Sequence, residues 1–327
     1  MTRRHKKRNI LRNIILLTAA GAVAVYFYVN RFDPQDLVEK SILNKKTFSG
    51  EVVEVVSPKH KIKAYLLEEK SNPIVSMSFI FRHAGTASDN PGEEGLANIT
   101  AAMMAEAAGE YRSQQFKEEL ENYAISISYG AGLDDFSGNM LTIKDNLPIA
   151  LKLLKLTLTS PRFDIEDLGR MQQKLLIALQ RQNENPNNKL YLMALDKIYG
   201  SHPYGRNPLG KREDILQIND KKMKDFVANN LGISNLVVGL AGDLSPEEAG
   251  KLLDDLFDAL PPQGASDSLE EPEIDFSIKA EIQEDLPQSI SFIAAKGTRR
   301  QAMDFYPLYI VNYIFGGAGL NSRLNIA

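Results

Sequence analysis

The 327-residue chain contains no cysteine. That excludes disulfides, thiolate zinc sites, iron–sulfur clusters, a cysteine nucleophile and lipid attachment through cysteine. Histidine is scarce too. His5, His60, His83 and His202 are the only four, and no two of them lie close enough for a local His-x-x-x-His metal pair. The first twelve residues lack acidic side chains and carry Arg3, Arg4, Lys6, Lys7, Arg8 and Arg12. The rest of the chain holds 32 basic against 42 acidic residues, a net charge of −10. An acidic body argues against nucleic acid as a partner, because a phosphate backbone calls for clustered Lys and Arg. The sequence has no P-loop, no Gly-x-Ser-x-Gly and no Rossmann fingerprint.

A hydrophobic content of 43% with 24% charged residues excludes a disordered or fibrous chain, and the length fits about two domains. Residues 1–30 read as a membrane anchor or signal. Ile14 to Val29 is an uncharged run that, with Ile10 and Leu11, comes near the ~20 residues needed to span a bilayer. The basic residues ahead of it fit the positive-inside rule. Ala22-Val23-Ala24 resembles a signal cleavage site, while Val25 to Val29 prolongs the apolar run as an uncleaved anchor would. Either reading carries the body across a membrane. A bacterial inner membrane with a periplasmic body fits best, the alternative being secretion to the periplasm after cleavage.

Residues 31–50 read as a polar connector. In 51–260, Val52–Val56 and Ile62–Leu67 form one expected hairpin, and residues 73–81 alternate as a strand. Helical periodicity starts after Pro91-Gly92, with Leu96, Ile99 and Met103 on one stripe. A second hairpin is expected from Ile125–Tyr129 and Phe136–Ile143. Further helices are expected at Ser113–Tyr123, Leu147–Leu158, Ile165–Asn183, Leu190–Tyr199, Lys221–Asn229 and Pro246–Leu260, and a strand at Leu236–Leu240. This grouping predicts an α+β fold in which helices cover a mostly antiparallel sheet, preceded by an N-terminal transmembrane helix. Residues 261–280 read as an acidic linker. In 281–327 a strand at Ser289–Ala295 and a helix at Asp304–Phe315 suggest the start of an incomplete second domain. Glu106 and Glu110, one turn apart, read as a solvated pair, and Asp134-Asp135 as a turn. Gly316-Gly317-Ala318-Gly319 follows a helix, which suits a cap and tight turn rather than a phosphate cradle.

Several segments in fixed order carry a resemblance. They are Phe81-Arg82-His83-Ala84-Gly85-Thr86, Gly92-Glu93-Glu94-Gly95-Leu96-Ala97, Ser160-Pro161-Arg162-Phe163, His202-Pro203-Tyr204-Gly205 with Gly210, and Gly316-Gly317-Ala318-Gly319 with Ser322-Arg323-Leu324. Over residues 51–327 the chain resembles the pitrilysin/insulinase metallopeptidases, which include the mitochondrial processing peptidases. The resemblance implies α+β domains paired around a closed chamber. It also implies an inverted zinc motif, H-x-x-E-H, on the helix after Gly95-Leu96-Ala97, with a later Glu completing the site. Two imidazoles four residues apart share a helix face and can bind one zinc, while the carboxylate between them polarises the bound water.

Here the matching positions are Asn98 and Ala102 for the histidines, Ala101 for the catalytic Glu and about Ala178 for the later Glu. Methyl groups cannot bind zinc. The expectation is a catalytically degenerate homologue with no catalytic residue, metal or cofactor of its own, zinc being held only by an active partner. In family heterodimers a zinc-free subunit helps close the chamber and hold the peptide. The expected partners are therefore an active zinc-containing family member, peptides or unfolded segments, and a membrane through residues 10–29. A stand-alone peptide-binding protein, or a truncated relic without independent function, is the alternative.

Overall fold

The structure, a computed structural model, describes residues 51–266, 269–274, 277–317 and 319–326. The expected membrane helix and connector lie outside these residues. Among the described residues no helix is long and apolar enough to cross a membrane.

Six strands form one sheet: β1 (Val52–Val56), β2 (Lys63–Glu68), β3 (Ile74–Phe81), β4 (Ser126–Ala131), β5 (Phe136–Ile143) and β6 (Leu236–Gly242). Their spatial order is β1-β2-β6-β3-β5-β4. Both expected hairpins form, Val52 facing Leu67 in one and Ser126 facing Leu141 in the other. β3 pairs antiparallel with β5 and β6. The sheet is nevertheless mixed, because β6 enters between β3 and β2 and runs parallel to β2. A late strand of alternating small and branched residues can occupy the sheet centre, where it is hydrogen-bonded on both sides.

The helices are α1 (Leu96–Met104), α2 (Ser113–Asn122), α3 (Leu147–Thr159), α4 (Ile165–Glu184), α5 (Pro186–Tyr199), α6 (Arg212–Gln217), α7 (Asp220–Asn230), α8 (Pro246–Phe257), α9 (Phe305–Asn312) and α10 (Arg323–Ile326). Strand alternation divides the sheet faces. Ala64, Leu66, Met77, Phe79, Phe81, Phe136, Met140 and Val238 are buried, whereas Tyr65, Ile74, Leu141 and Ile143 are exposed. The buried face meets Leu153 and Leu154 of α3 and Leu253 and Phe257 of α8 in one core. Phe79 centres it, in edge-to-face contact with Phe81, Tyr129 and Phe257 at 5.9, 6.1 and 5.7 Å between ring centres. Each such pair adds about 0.5–1.5 kcal/mol to the burial itself. Gly138 makes room for that ring: a Cβ there would sit 2.2 Å from Phe79.

The C-terminal segment departs from expectation. Residues 289–295 form no strand. A strand is held by the hydrogen bonds of a neighbour, and none of the six described strands reaches this segment. Phe292 packs on Tyr191 of α5 instead, at 5.9 Å between rings. The expected helix at 304–315 does form, as α9 followed by a wider turn through Tyr313–Gly317. Gly319 then takes a left-handed φ of 59°, as a tight turn requires.

Candidate functional site

The start of α1 is built by an acid six residues ahead of its cap residue Gly95. Asp89 accepts hydrogen bonds from the Gly95 N–H at 2.9 Å and the Ala97 N–H at 3.1 Å, filling the role of an N-cap side chain. Gly95 takes φ 96°, and a Cβ there would meet the Leu209 carbonyl oxygen at 2.9 Å. Asp89 is only 4% exposed. Burial pushes its carboxyl up to about 7, although the N–H groups of Ala97 and Gly95 pull the other way. Glu94 and Glu93 add to the upward push.

Helix α1 packs on α4, α7 and β4. Its inner residues Leu96, Ile99, Met103 and Met104 are buried in the core. Of the positions singled out in the sequence, Asn98 and Ala102 are half-buried one turn apart and Ala101 is fully buried, all on α1. Ala178 is half-buried on α4. The four positions therefore fall on two helices that pack together. Asn98 is already engaged. Its Nδ2 donates to the Pro208 carbonyl at 2.5 Å, tying α1 to the loop that leads into α6.

That loop is fixed by further backbone contacts. Gly210, at φ 81°, lies so close to the Glu94 carbonyl that a Cβ would stand 2.0 Å from its oxygen. Arg206 donates to the Asp89 carbonyl at 2.8 Å, and Asn207 donates to Gln182 of α4 at 2.7 Å. Gln172 of α4 donates to the Ile215 and Ile218 carbonyls at 2.8 and 3.1 Å. Side-chain carboxamides thus join α1, α4 and the 206–218 segment.

This donor set does not fit a zinc ion. Three of the four positions carry methyl groups, and the only nitrogen at the fourth is an amide N–H already spent on a carbonyl. Among the described residues no group of three or more His, Asp or Glu side chains could hold a metal.

The two histidines of the segments that carry the resemblance, His83 and His202, serve their loops. His83 sits after β3 in left-handed backbone at φ 61°, its carbonyl accepting from the Ser88 hydroxyl at 2.8 Å. His202 accepts the Tyr204 N–H through Nδ1, and its Nε2 lies 2.9 Å from the Glu270 carbonyl. With both partners satisfied, Nε2 carries the proton. Asp134 does sit in the β4–β5 turn, and it also accepts the Tyr204 hydroxyl at 2.5 Å. Glu106 is not a solvated acid. It gathers the Ser113 hydroxyl and the Lys117 ammonium, each at 2.7 Å, with Arg170 at 3.4 Å. Burial pushes its carboxyl up, but Lys117 and Ser113 outweigh that and hold it below its ordinary range.

The family description "Insulinase (Peptidase family M16)" matches residues 65–211, and "Peptidase M16 inactive domain" matches 217–326. The chain belongs to the M16 family. A non-peptidase homolog, YmxG, of Helicobacter pylori is 27% identical over 78% of this chain and 60% of its own length. A probable mitochondrial-processing peptidase subunit beta of Schizosaccharomyces pombe is 22% identical over 68% of this chain and 53% of its own. The chain therefore spans between half and two thirds of the length of these M16 relatives. A crystal structure of a peptidase M16 inactive domain from Pseudomonas fluorescens superposes with a TM-score of 0.73 at 24% identity, covering 84% of this chain and 66% of the other. That likeness establishes the M16 fold.

The acids that organise the site were not visible in the sequence. An N-cap is read one to three residues ahead of a helix, and Asp89 stands six residues ahead of Gly95. The Asn98–Pro208 bond joins residues 110 positions apart, which local spacing cannot reveal.

Proposed function

We propose that this chain is a non-catalytic M16 homologue that binds extended peptide segments and completes the peptide chamber of a zinc-bearing family member. The observation that carries the reading is the face of α1. Its half-buried positions hold Asn98, committed to the Pro208 carbonyl, and Ala102, with the Ala101 methyl buried between them. Neither metal binding nor activation of water has a side chain there. The likeness to a non-peptidase homolog points the same way.

Peptide binding has a physical basis in the sheet. Among the described residues β4 is an edge strand, paired with β5 alone, and it packs against α1. An extended peptide added to that edge would gain main-chain hydrogen bonds without any metal. Ser126 and Ser128 are exposed along the strand, so an incoming backbone meets little bulk there. A heteromeric partner is suggested by the likeness to a protein named as one subunit of a processing peptidase. Zinc belongs to that partner in this reading. Residues 10–29 tether the chain to a bacterial inner membrane with its body in the periplasm, or direct it there before cleavage.

The test is to purify the tagged full chain from its native membrane in mild detergent and identify stoichiometric companions by mass spectrometry. A companion carrying an intact H-x-x-E-H, with hydrolysis only by the pair, supports the proposal. A chain that comes down folded and alone removes the partner and leaves a peptide-binding protein.

A further inference from the structure

Helix α5 carries an apolar stripe that takes no part in the core. Leu190, Ala194 and Ile198 recur every four residues with Met193 beside them, and no residue of the helix is fully buried. A later part of the same chain rests on the stripe. Ile278, Ala280, Phe292 and Ala294 line one cavity of about 100 Å³ with it. The Phe292 ring meets the Tyr191 ring at 5.9 Å, and Glu284 pairs with Lys189 at 2.8 Å. The periods match. Alternate residues of an extended chain stand about 6.6 Å apart, and helix positions four residues apart about 6 Å. Residues 278 and 280, like 292 and 294, are such alternate pairs, set against 190, 194 and 198. An extended segment with an apolar side chain at every second position can thus meet successive turns of α5.

The occupant is held loosely. Among the described residues, the one backbone–backbone hydrogen bond made by residues 278–295 is local, from the Leu286 N–H to the Glu284 carbonyl. Phe292 stays 42% exposed and Ile293 89%. A cavity of about 520 Å³ remains open between the start of α5 and residues 280–292. The ion pair joins two half-exposed side chains, which water screens, so it adds little grip.

We propose that the α5 stripe is a binding site for an extended peptide with apolar residues at alternate positions, and that residues 278–294 occupy it in cis as a displaceable plug. The plug itself defines the ligand: an aromatic ring against Tyr191 and a small residue two positions on. A tethered competitor lowers the apparent affinity for a free peptide by the fraction of time the stripe stands open. The site shares no residue with the β4 edge and does not rest on the reading of that edge.

Fluorescence anisotropy with the full chain and a labelled synthetic peptide of residues 287–295, Pro-Gln-Ser-Ile-Ser-Phe-Ile-Ala-Ala, tests it. Phe292→Ser in the chain strips the ring anchor from the plug and should tighten peptide binding about fivefold or more over wild type. Lys189→Glu breaks the tie to Glu284 outside the stripe and should tighten it as well. Ala194→Glu, added to Phe292→Ser, sets a charge in the middle of the stripe and should weaken binding about tenfold or more. Met193→Glu serves the same purpose if Ala194→Glu does not fold by circular dichroism. Equal affinity for wild type and Phe292→Ser would overturn the plug, and so would a peptide that binds neither. Undiminished binding by the folded charged variant would overturn the stripe and leave the β4 edge as the peptide's seat.

Discussion

Asp89 makes a quantitative prediction about pH. Its carboxyl caps α1 from a buried position, and burial raises it from 3.8 to about 7. Between those values the folded chain keeps a proton that the unfolded chain has lost. Stability from this group is therefore fully present below about pH 4 and lost as pH rises through about 7. Over that window the loss is on the order of 4 kcal/mol, near 1.4 kcal/mol for each pH step. Substitution of Asp89 by Asn removes the titration while keeping one oxygen acceptor, at a fixed cost of about 1 kcal/mol for the lost second hydrogen bond. Urea unfolding of both full chains, followed by far-ultraviolet circular dichroism across this range, isolates the effect as a difference. Wild type should be the more stable near pH 4 and the less stable near pH 7. A difference that stays constant with pH would mean that Asp89 is already ionised in the fold at acid pH, against the raised value.

Three further substitutions probe the same framework. Asn98→Ala should cost about 1 kcal/mol in urea unfolding and raise exchange in residues 206–211, because the bond to the Pro208 carbonyl is lost. Gly210→Ala should cost more, about 2 kcal/mol or above, since φ 81° disfavours a Cβ that would also strike the Glu94 carbonyl at 2.0 Å. Phe79→Ala should lower stability by about 3–5 kcal/mol through the cavity left among Phe81, Tyr129 and Phe257, read as a fall in the urea midpoint.

Much of the framework was legible because its signals are local. Alternation along residues 73–81 marked a strand, and β3 buries every second residue there. The Leu96–Ile99–Met103 stripe marked the inner side of α1. The α+β class and the two hairpins follow from such runs. The parallel placement of β6 beside β2 was not legible, because the pairing spans more than 170 residues and local patterning does not encode strand order. Residues 289–295 show the converse. Their alternation is strand-like, yet a strand needs a neighbour, and here the segment rests on α5 instead. At the site, the residue types on α1 and α4 could be read directly, whereas the Asn98–Pro208 bond and the Asp89 cap depend on loops meeting in space.

The α1 face of this chain lacks the side chains to hold zinc and activate water. The most direct test of this is the zinc content of the purified full chain after incubation with excess zinc and desalting, measured by elemental mass spectrometry alongside peptide hydrolysis. Far less than one zinc per chain is expected, with no cleavage that a chelator abolishes. One tightly held zinc per chain, with chelator-sensitive hydrolysis by the chain alone, would contradict it.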